Sequence, residues 1–153
     1  MTNKMLGRKG FSFKLKDQNG ETVALDNLQG KKVLLSFHPL AWTEICKKQM
    51  LSLENNWETF SKLNTVPLGF STDGVPTKKA WAQDIGITKV SFPADFWPHG
   101  EVAIKYKLFR GNDGFSERAN VILDEEHNII FYKIYPLSEL PDIKEIIEFL
   151  ENH

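Results

Sequence analysis

The hydrophobic pattern changes its period abruptly between Lys32 and Ser61, and this junction constrains the fold more than anything else in the chain. Lys32-Val-Leu-Leu-Ser-Phe37 is a compact β-favouring run, introduced by Gly30 and closed by Pro39, which suits a strand buried on both faces. From Thr43 to about Ser61 the apolar residues Cys46, Met50, Leu53, Trp57 and Phe60 recur at steps of four and three, the signature of an amphipathic helix. Val66-Pro-Leu-Gly-Phe-Ser71 then reads as a second buried strand. A strand, a helix and a strand in this order predict a parallel β-α-β unit.

The flanking segments extend that unit. Phe11–Leu15 and Thr22–Leu25 alternate loosely about Asp17-Gln-Asn-Gly20, which predicts an N-terminal hairpin. Val75–Ile85 predicts a short helix, with Pro76 near its start and Gly86 just past its end. Between Gly86 and Glu117 prolines and glycines predict mostly connection, with a helical turn or two over Glu101–Tyr106. Arg118–Leu123 and Ile129–Ile134 flank the polar turn Asp124–Asn128 and predict an antiparallel hairpin, followed by a helix with Leu140, Ile143, Ile147 and Leu150 on its packed face. The fold class is therefore α/β: a thioredoxin-like order of elements, with a mixed central sheet, helices on both faces and an N-terminal β-hairpin. With 153 residues, 41% of them hydrophobic, residues 1–153 are read as a single domain with material for a sizeable core.

Charge and cysteine content exclude several classes of partner. The 19 basic and 20 acidic residues are scattered and give a net charge of −1, so neither nucleic acid nor an anionic membrane is expected as a partner. Met1–Arg8 has no apolar stretch of signal-peptide length, and no segment approaches the roughly 20 apolar residues of a membrane span; a soluble, cytoplasmic protein is expected. His38, His99, His127 and His153 show no metal-ligand spacing, so neither a metal nor another cofactor is expected. The single cysteine, Cys46, cannot form an internal disulfide and suits a reducing compartment.

A lone cysteine on the apolar face of a helix is more often structural than nucleophilic. Cys46 differs in its placement. With Thr43 as N-cap, it is the third residue of the first turn, where free backbone N–H groups and the positive end of the helix dipole lie. Thr43 alone is only a cap and Pro39 alone only a strand terminator. Their combination, P-x-x-x-T-x-x-C between a strand and a helix, is what a core cysteine does not need.

In this segment, Phe37-His-Pro-Leu-Ala-Trp-Thr-Glu-Ile-Cys46, the chain resembles the peroxiredoxins. Ser71-Thr-Asp73 and Phe92-Pro-Ala-Asp-Phe-Trp-Pro-His-Gly100 are similar to further landmarks of that family, the latter to its one-cysteine, alkyl hydroperoxide reductase E type. The resemblance implies that Cys46 is the nucleophile, that Thr43 and Arg118 hold the peroxide oxygens, and that Pro39 shields the thiolate. It gives Gln49 a supporting role in orienting Arg118 and places Trp42 in the pocket wall. His38, where an aromatic commonly precedes the proline, and Glu44, a negative charge in the first helical turn, depart from the pattern.

The chemistry implied is the reduction of hydrogen peroxide and small organic hydroperoxides through a sulfenic acid on Cys46. A free cysteine is only a few per cent thiolate at pH 7. Complete ionisation raises the reactive fraction only about thirtyfold, roughly 2 kcal/mol. The larger contribution is expected from donors at the developing charge, about 2.7–4 kcal/mol each; the N–H groups of Ile45 and Cys46 would add to Thr43 and Arg118. With no second cysteine, an external thiol, either a thioredoxin-like protein or a low-molecular-weight thiol, must resolve the sulfenic acid. The alternative on the same fold is a thiol redox sensor or interaction module that reacts once and does not cycle. The resemblance also implies a homodimer. Trp57, Phe60 and Trp81 sit at core spacing, whereas Phe96-Trp97-Pro98 fits the active-site mouth, a dimer contact or a local satellite core.

Overall fold

A computed structural model describes residues 4–153; residues 1–3, which open the Met1–Arg8 segment, lie outside the described residues. Strands β1 (Lys14–Lys16) and β2 (Thr22–Ala24) form the expected antiparallel hairpin. The Asp17 carboxylate closes its turn by accepting from the amides of Asn19 and Glu21 at 2.8 and 3.0 Å, and Gly20 supplies the left-handed residue (φ +76°). β3 (Lys32–Phe37), α1 (Glu44–Asn55), α2 (Trp57–Lys62) and β4 (Thr65–Phe70) then form the β-α-β unit, with β3 and β4 parallel.

The expected single helix over Thr43–Ser61 is broken. Asn56 ends α1 and opens α2 at φ −109°, ψ 17°, and its side-chain amide donates to the Ser52 carbonyl at 2.8 Å. A short polar side chain competing for helix carbonyls is the physical cause, and Phe60 beyond the break is still buried. After β4 come α3 (Val75–Ile85), ended by left-handed Gly86 (φ +81°), and α4 (Glu101–Lys105), whose first amides at Val102 and Ala103 are received by the Asp95 carboxylate at 3.0 Å each. The connection that follows contains a hairpin of two-residue strands, β5 (Phe109–Arg110) and β6 (Phe115–Ser116), too short to leave a periodic signal. β7 (Arg118–Leu123), β8 (Ile129–Tyr135) and α5 (Ile143–Glu151) complete the chain. Leu140, expected on the face of the last helix, lies before it and is exposed, because Asp142 caps the helix by accepting from the Lys144 amide at 3.0 Å.

The four-stranded sheet has the order β4-β3-β7-β8, with β7 antiparallel to both β3 and β8. Alternation along the strands separates two cores. Val33, Leu35 and Phe37 of β3, with Ala119, Val121 and Leu123 of β7, pack against Phe13, Val102, Tyr106 and Leu108. Leu34 and Ile122 face the other way, into Cys46, Met50, Trp81, Ile146 and Leu150 of the helical layer. A fully buried Val, Leu, Ile, Phe or Met side chain among these contributes roughly 1.5–3 kcal/mol of burial free energy. Ser36 and His38 of the β3 segment, and Arg118 and Asn120 of β7, share the parity of Leu34 and Ile122. Register pairs Phe37 with Ala119, so Arg118 arrives beside the end of β3, where α1 begins.

Candidate active site

The turn between β3 and α1 is tied down from below. The Ala41 amide donates to the Asp73 carboxylate at 2.8 Å, and the Ser71 hydroxyl donates to the same oxygen at 2.6 Å. Thr43 holds the N-cap position with extended backbone (φ −116°, ψ 151°), and its carbonyl accepts from the Lys47 amide at 3.0 Å. Its side chain does not cap: the hydroxyl donates to the Leu40 carbonyl at 2.8 Å. The amides of Glu44, Ile45 and Cys46 therefore lack a helix-backbone acceptor, as at the start of any α-helix.

Cys46 is completely buried. Arg118, also buried, brings Nη1 to 3.4 Å from Cys46 Sγ and donates from the same nitrogen to Gln49 Oε1 at 2.8 Å. Its Nε and Nη2 both donate to the Leu137 carbonyl, at 3.1 and 2.8 Å, so the guanidinium plane is held from two sides. Gln49, buried one helical turn from Cys46, donates in turn to Ser36 Oγ and the Phe37 carbonyl at 2.8 and 3.1 Å.

A cavity of about 370 Å³ opens beside this cluster. Pro39, Thr43 and Arg118 line it together with an apolar wall of Leu40, Ile45, Phe115 and Leu137, and Glu44 is its one carboxylate. Arg118 thus borders both the cavity and the sulfur. Trp42, expected in the wall, is not among the lining residues; its left-handed backbone (φ +67°) accompanies a side chain 54% exposed. The structure brings Cys46, Arg118 and Gln49 into direct contact and sets Pro39 and Thr43 on the cavity, while Trp42 stands apart. Phe96 and Trp97 are also exposed, Trp97 at 78%, and do not form a satellite core.

The sequence assigns no role to Leu137, Ser36, Asn120 or Lys78, and Asp73 enters it only within the Ser71-Thr-Asp73 landmark. The signals were present for three of them. Ser36 and Asn120 each interrupt the apolar run of their strand, and Lys78 occupies a helix position that shares a face with the buried Trp81, Ala82 and Ile85. Lys78 is fully buried, donates to the Gly69 carbonyl at 3.2 Å and lies 5.5 Å from the centre of the Phe92 ring. Burial lowers its pKa to about 7, against the opposing pull of Asp73, Asp95 and Cys46. His38 packs its ring against Trp81 and Phe92, at centroid distances of 5.4 and 6.2 Å, as an aromatic in its place would. Neither ring nitrogen has a hydrogen-bond partner among the described residues. Burial first, then the charges of Lys78 and Arg118, push its pKa well below the ordinary histidine value.

Fold and site together define a thiol-based oxidoreductase of the thioredoxin-like class. Residues 6–132 match the AhpC/TSA family, and the chain belongs to it. It is 35% identical over 140 residues to alkyl hydroperoxide reductase E of Mycobacterium tuberculosis, covering 90% of each chain. It is also 31% identical to a peroxiredoxin of Thermoplasma volcanium, over 96% of this chain and 73% of that one. In fold it superimposes on AhpC of Enterococcus faecalis with a TM-score of 0.91 at 23% identity, covering 98% of this chain and 92% of that one. One cysteine in the chain fits the one-cysteine type of peroxiredoxin.

Proposed function

We propose that this peroxiredoxin reduces hydrogen peroxide and small organic hydroperoxides through Cys46, with an external thiol as reductant. The observation that carries the reading is Arg118 Nη1 at 3.4 Å from Cys46 Sγ, on a guanidinium that also lines the adjoining cavity. The thiolate attacks the terminal peroxide oxygen; an S–O bond forms, the O–O bond breaks, and the departing oxygen takes a proton and leaves as water or alcohol. Sulfur is oxidised by two electrons to the sulfenic acid. One external thiol then condenses with it, releasing water and forming a mixed disulfide, and a second thiol releases Cys46 and leaves as the disulfide of the two.

The donor inventory supports distinct roles for the two polar groups on the cavity. Thr43 commits its proton to Leu40, so its oxygen accepts from the peroxide O–H. Arg118 has five N–H groups. Its bonds to Leu137, Gln49 and Cys46 leave one Nη2 hydrogen without an acceptor among the described residues, a donor for the incoming oxygen. The amides of Ile45 and Cys46 add dipoles of the same sign. Pro39, buried at the cavity, keeps water from the sulfur.

The enzyme acts as a single-domain chain paired as a homodimer, its contact built on Trp42, Phe96 and Trp97. Two of these exposed aromatics are tied to the same loop: Ala41, next to Trp42 in the chain, binds Asp73, and the Phe96 ring would lie 3.7 Å from a Cβ at Gly74. A lone thiol suits the reducing cytoplasm; no described helix is long and apolar enough to cross a membrane. Stopped-flow measurement of peroxide consumption with a thiol reductant tests the proposal. Wild-type protein should react orders of magnitude faster than free cysteine and Cys46→Ser should be inert; a wild-type rate no better than free thiol overturns it.

A further inference from the structure

Ser36 and Asn120 sit opposite each other in the β3–β7 register, both buried, where every other registered pair of the two strands is apolar. Two apolar residues would serve the sheet better, because buried polar groups cost free energy unless all their hydrogen bonds are made. Here the bonds are made, and they run in one direction. Arg118 donates to Gln49 at 2.8 Å, Gln49 to Ser36 at 2.8 Å, Ser36 to Asn120 Oδ1 at 2.7 Å, Asn120 Nδ2 to the Tyr135 hydroxyl at 3.4 Å, and Tyr135 to Glu145 Oε1 at 2.8 Å. The other Glu145 oxygen pairs with Lys133 at 2.7 Å. A guanidinium that can only donate stands at one end and a carboxylate that accepts stands at the other. Every group between them is polarised the same way, the condition under which hydrogen bonds in a chain strengthen one another.

We infer that Ser36, Asn120 and Tyr135 are positioning residues that hold Gln49, and through it Arg118, against Cys46, anchoring the active-site cation to Glu145 of α5. The inference rests on the peroxidase reading for its consequence but not for its geometry. Ser36→Ala breaks the chain at its centre and leaves a Gln49 N–H and the Asn120 carbonyl unpaired in the core. Tyr135→Phe breaks it near the surface end, with little change of shape.

The test is the second-order rate constant with peroxide, measured beside the pH profile of Cys46 alkylation by iodoacetamide. Ser36→Ala should slow the peroxide reaction about tenfold, the scale of a small misplacement of a catalytic group, and move the alkylation profile to higher pH; Ser36→Thr should restore both. Tyr135→Phe should move both in the same direction by about two- to threefold and keeps the test open if Ser36→Ala does not fold. Because Ser36 acts through Gln49, Ser36→Ala added to Gln49→Ala should cost nothing further. Rates and profiles of Ser36→Ala and Tyr135→Phe that match wild type, or multiplied losses in the double variant, overturn the inference. Alkylation needs no turnover, so a wild-type protein inert to peroxide would sink the peroxidase reading alone and leave the positioning chain to be judged on the alkylation profile.

Discussion

At the scale of single residues, the site depends on how many acceptors one side chain can serve. The Arg118 fork reaches Leu137 from two nitrogens while a third serves both Gln49 and Cys46. Lysine is a point charge on a flexible stem and cannot span acceptors on opposite sides of a plane. Arg118→Lys, which keeps the charge, should therefore still lose roughly 10²-fold in the rate with peroxide, read by stopped-flow fluorescence or peroxide loss. A variant within threefold of wild type would mean that charge alone, and not the fork, serves the reaction. Legibility at this scale divides along the chain. Pro39, Thr43 and Cys46 stand within seven residues of one another and carry their own local context, so their spacing is readable. Arg118 is 72 residues from Cys46 and meets it only because β7 returns antiparallel to β3; only family resemblance singles it out beforehand. Leu137 contributes a backbone carbonyl, which no side-chain pattern encodes.

Elements with a strong hydrophobic period, β3, β4, α3 and β7, could be read almost to the residue, since burial on a defined face imposes that period. The misreadings fall where a local polar bond overrides it: Asn56 splits the long helix, and Asp142 moves the start of α5 past Leu140. The close approach of α1 to β4 is another feature that no periodicity reveals. A Cβ on Gly69 would collide with Met50 Sδ and lie 2.9 Å from the Phe92 ring. Met50 and Phe92 are both fully buried, so neither can swing aside into solvent. Gly69→Ala should therefore push α1 off the sheet and cost about 1–3 kcal/mol, seen as a lower urea midpoint. Met50 follows Cys46 by four residues on the same helix face, so the peroxide rate should fall with it. Unchanged stability would show that this layer repacks freely, contrary to the density of the contacts.

Across the whole molecule, the cost of keeping two basic groups inside the helical layer gives stability a definite dependence on pH. Lys78 has a pKa of about 7 in the folded protein, lowered by burial from 10.5. Below about pH 7 it is charged in both states, and the fold bears the full cost of burying an ammonium that donates to the Gly69 carbonyl. Between about 7 and 10.5 the unfolded chain holds a proton that the folded chain has released, so stability rises with pH. His38 acts in the same sense lower down: its folded pKa lies well below 6.5, so stability falls as pH drops below 6.5 and the unfolded chain gains a proton. The protein should thus be more resistant to urea at pH 9 than at pH 6. Lys78→Met, similar in length and uncharged, removes the lysine's contribution. At pH 6 it should stabilise the fold by about 1–4 kcal/mol, and the gain should shrink as pH rises toward 9, where wild-type Lys78 is neutral in the fold. Urea unfolding of both proteins at pH 6, 7.5 and 9 reads the difference directly. Parallel stability curves, or a Lys78→Met protein weaker than wild type at pH 6, would mean that the ammonium is held by its carboxylate neighbours Asp73 and Asp95 more strongly than burial opposes it.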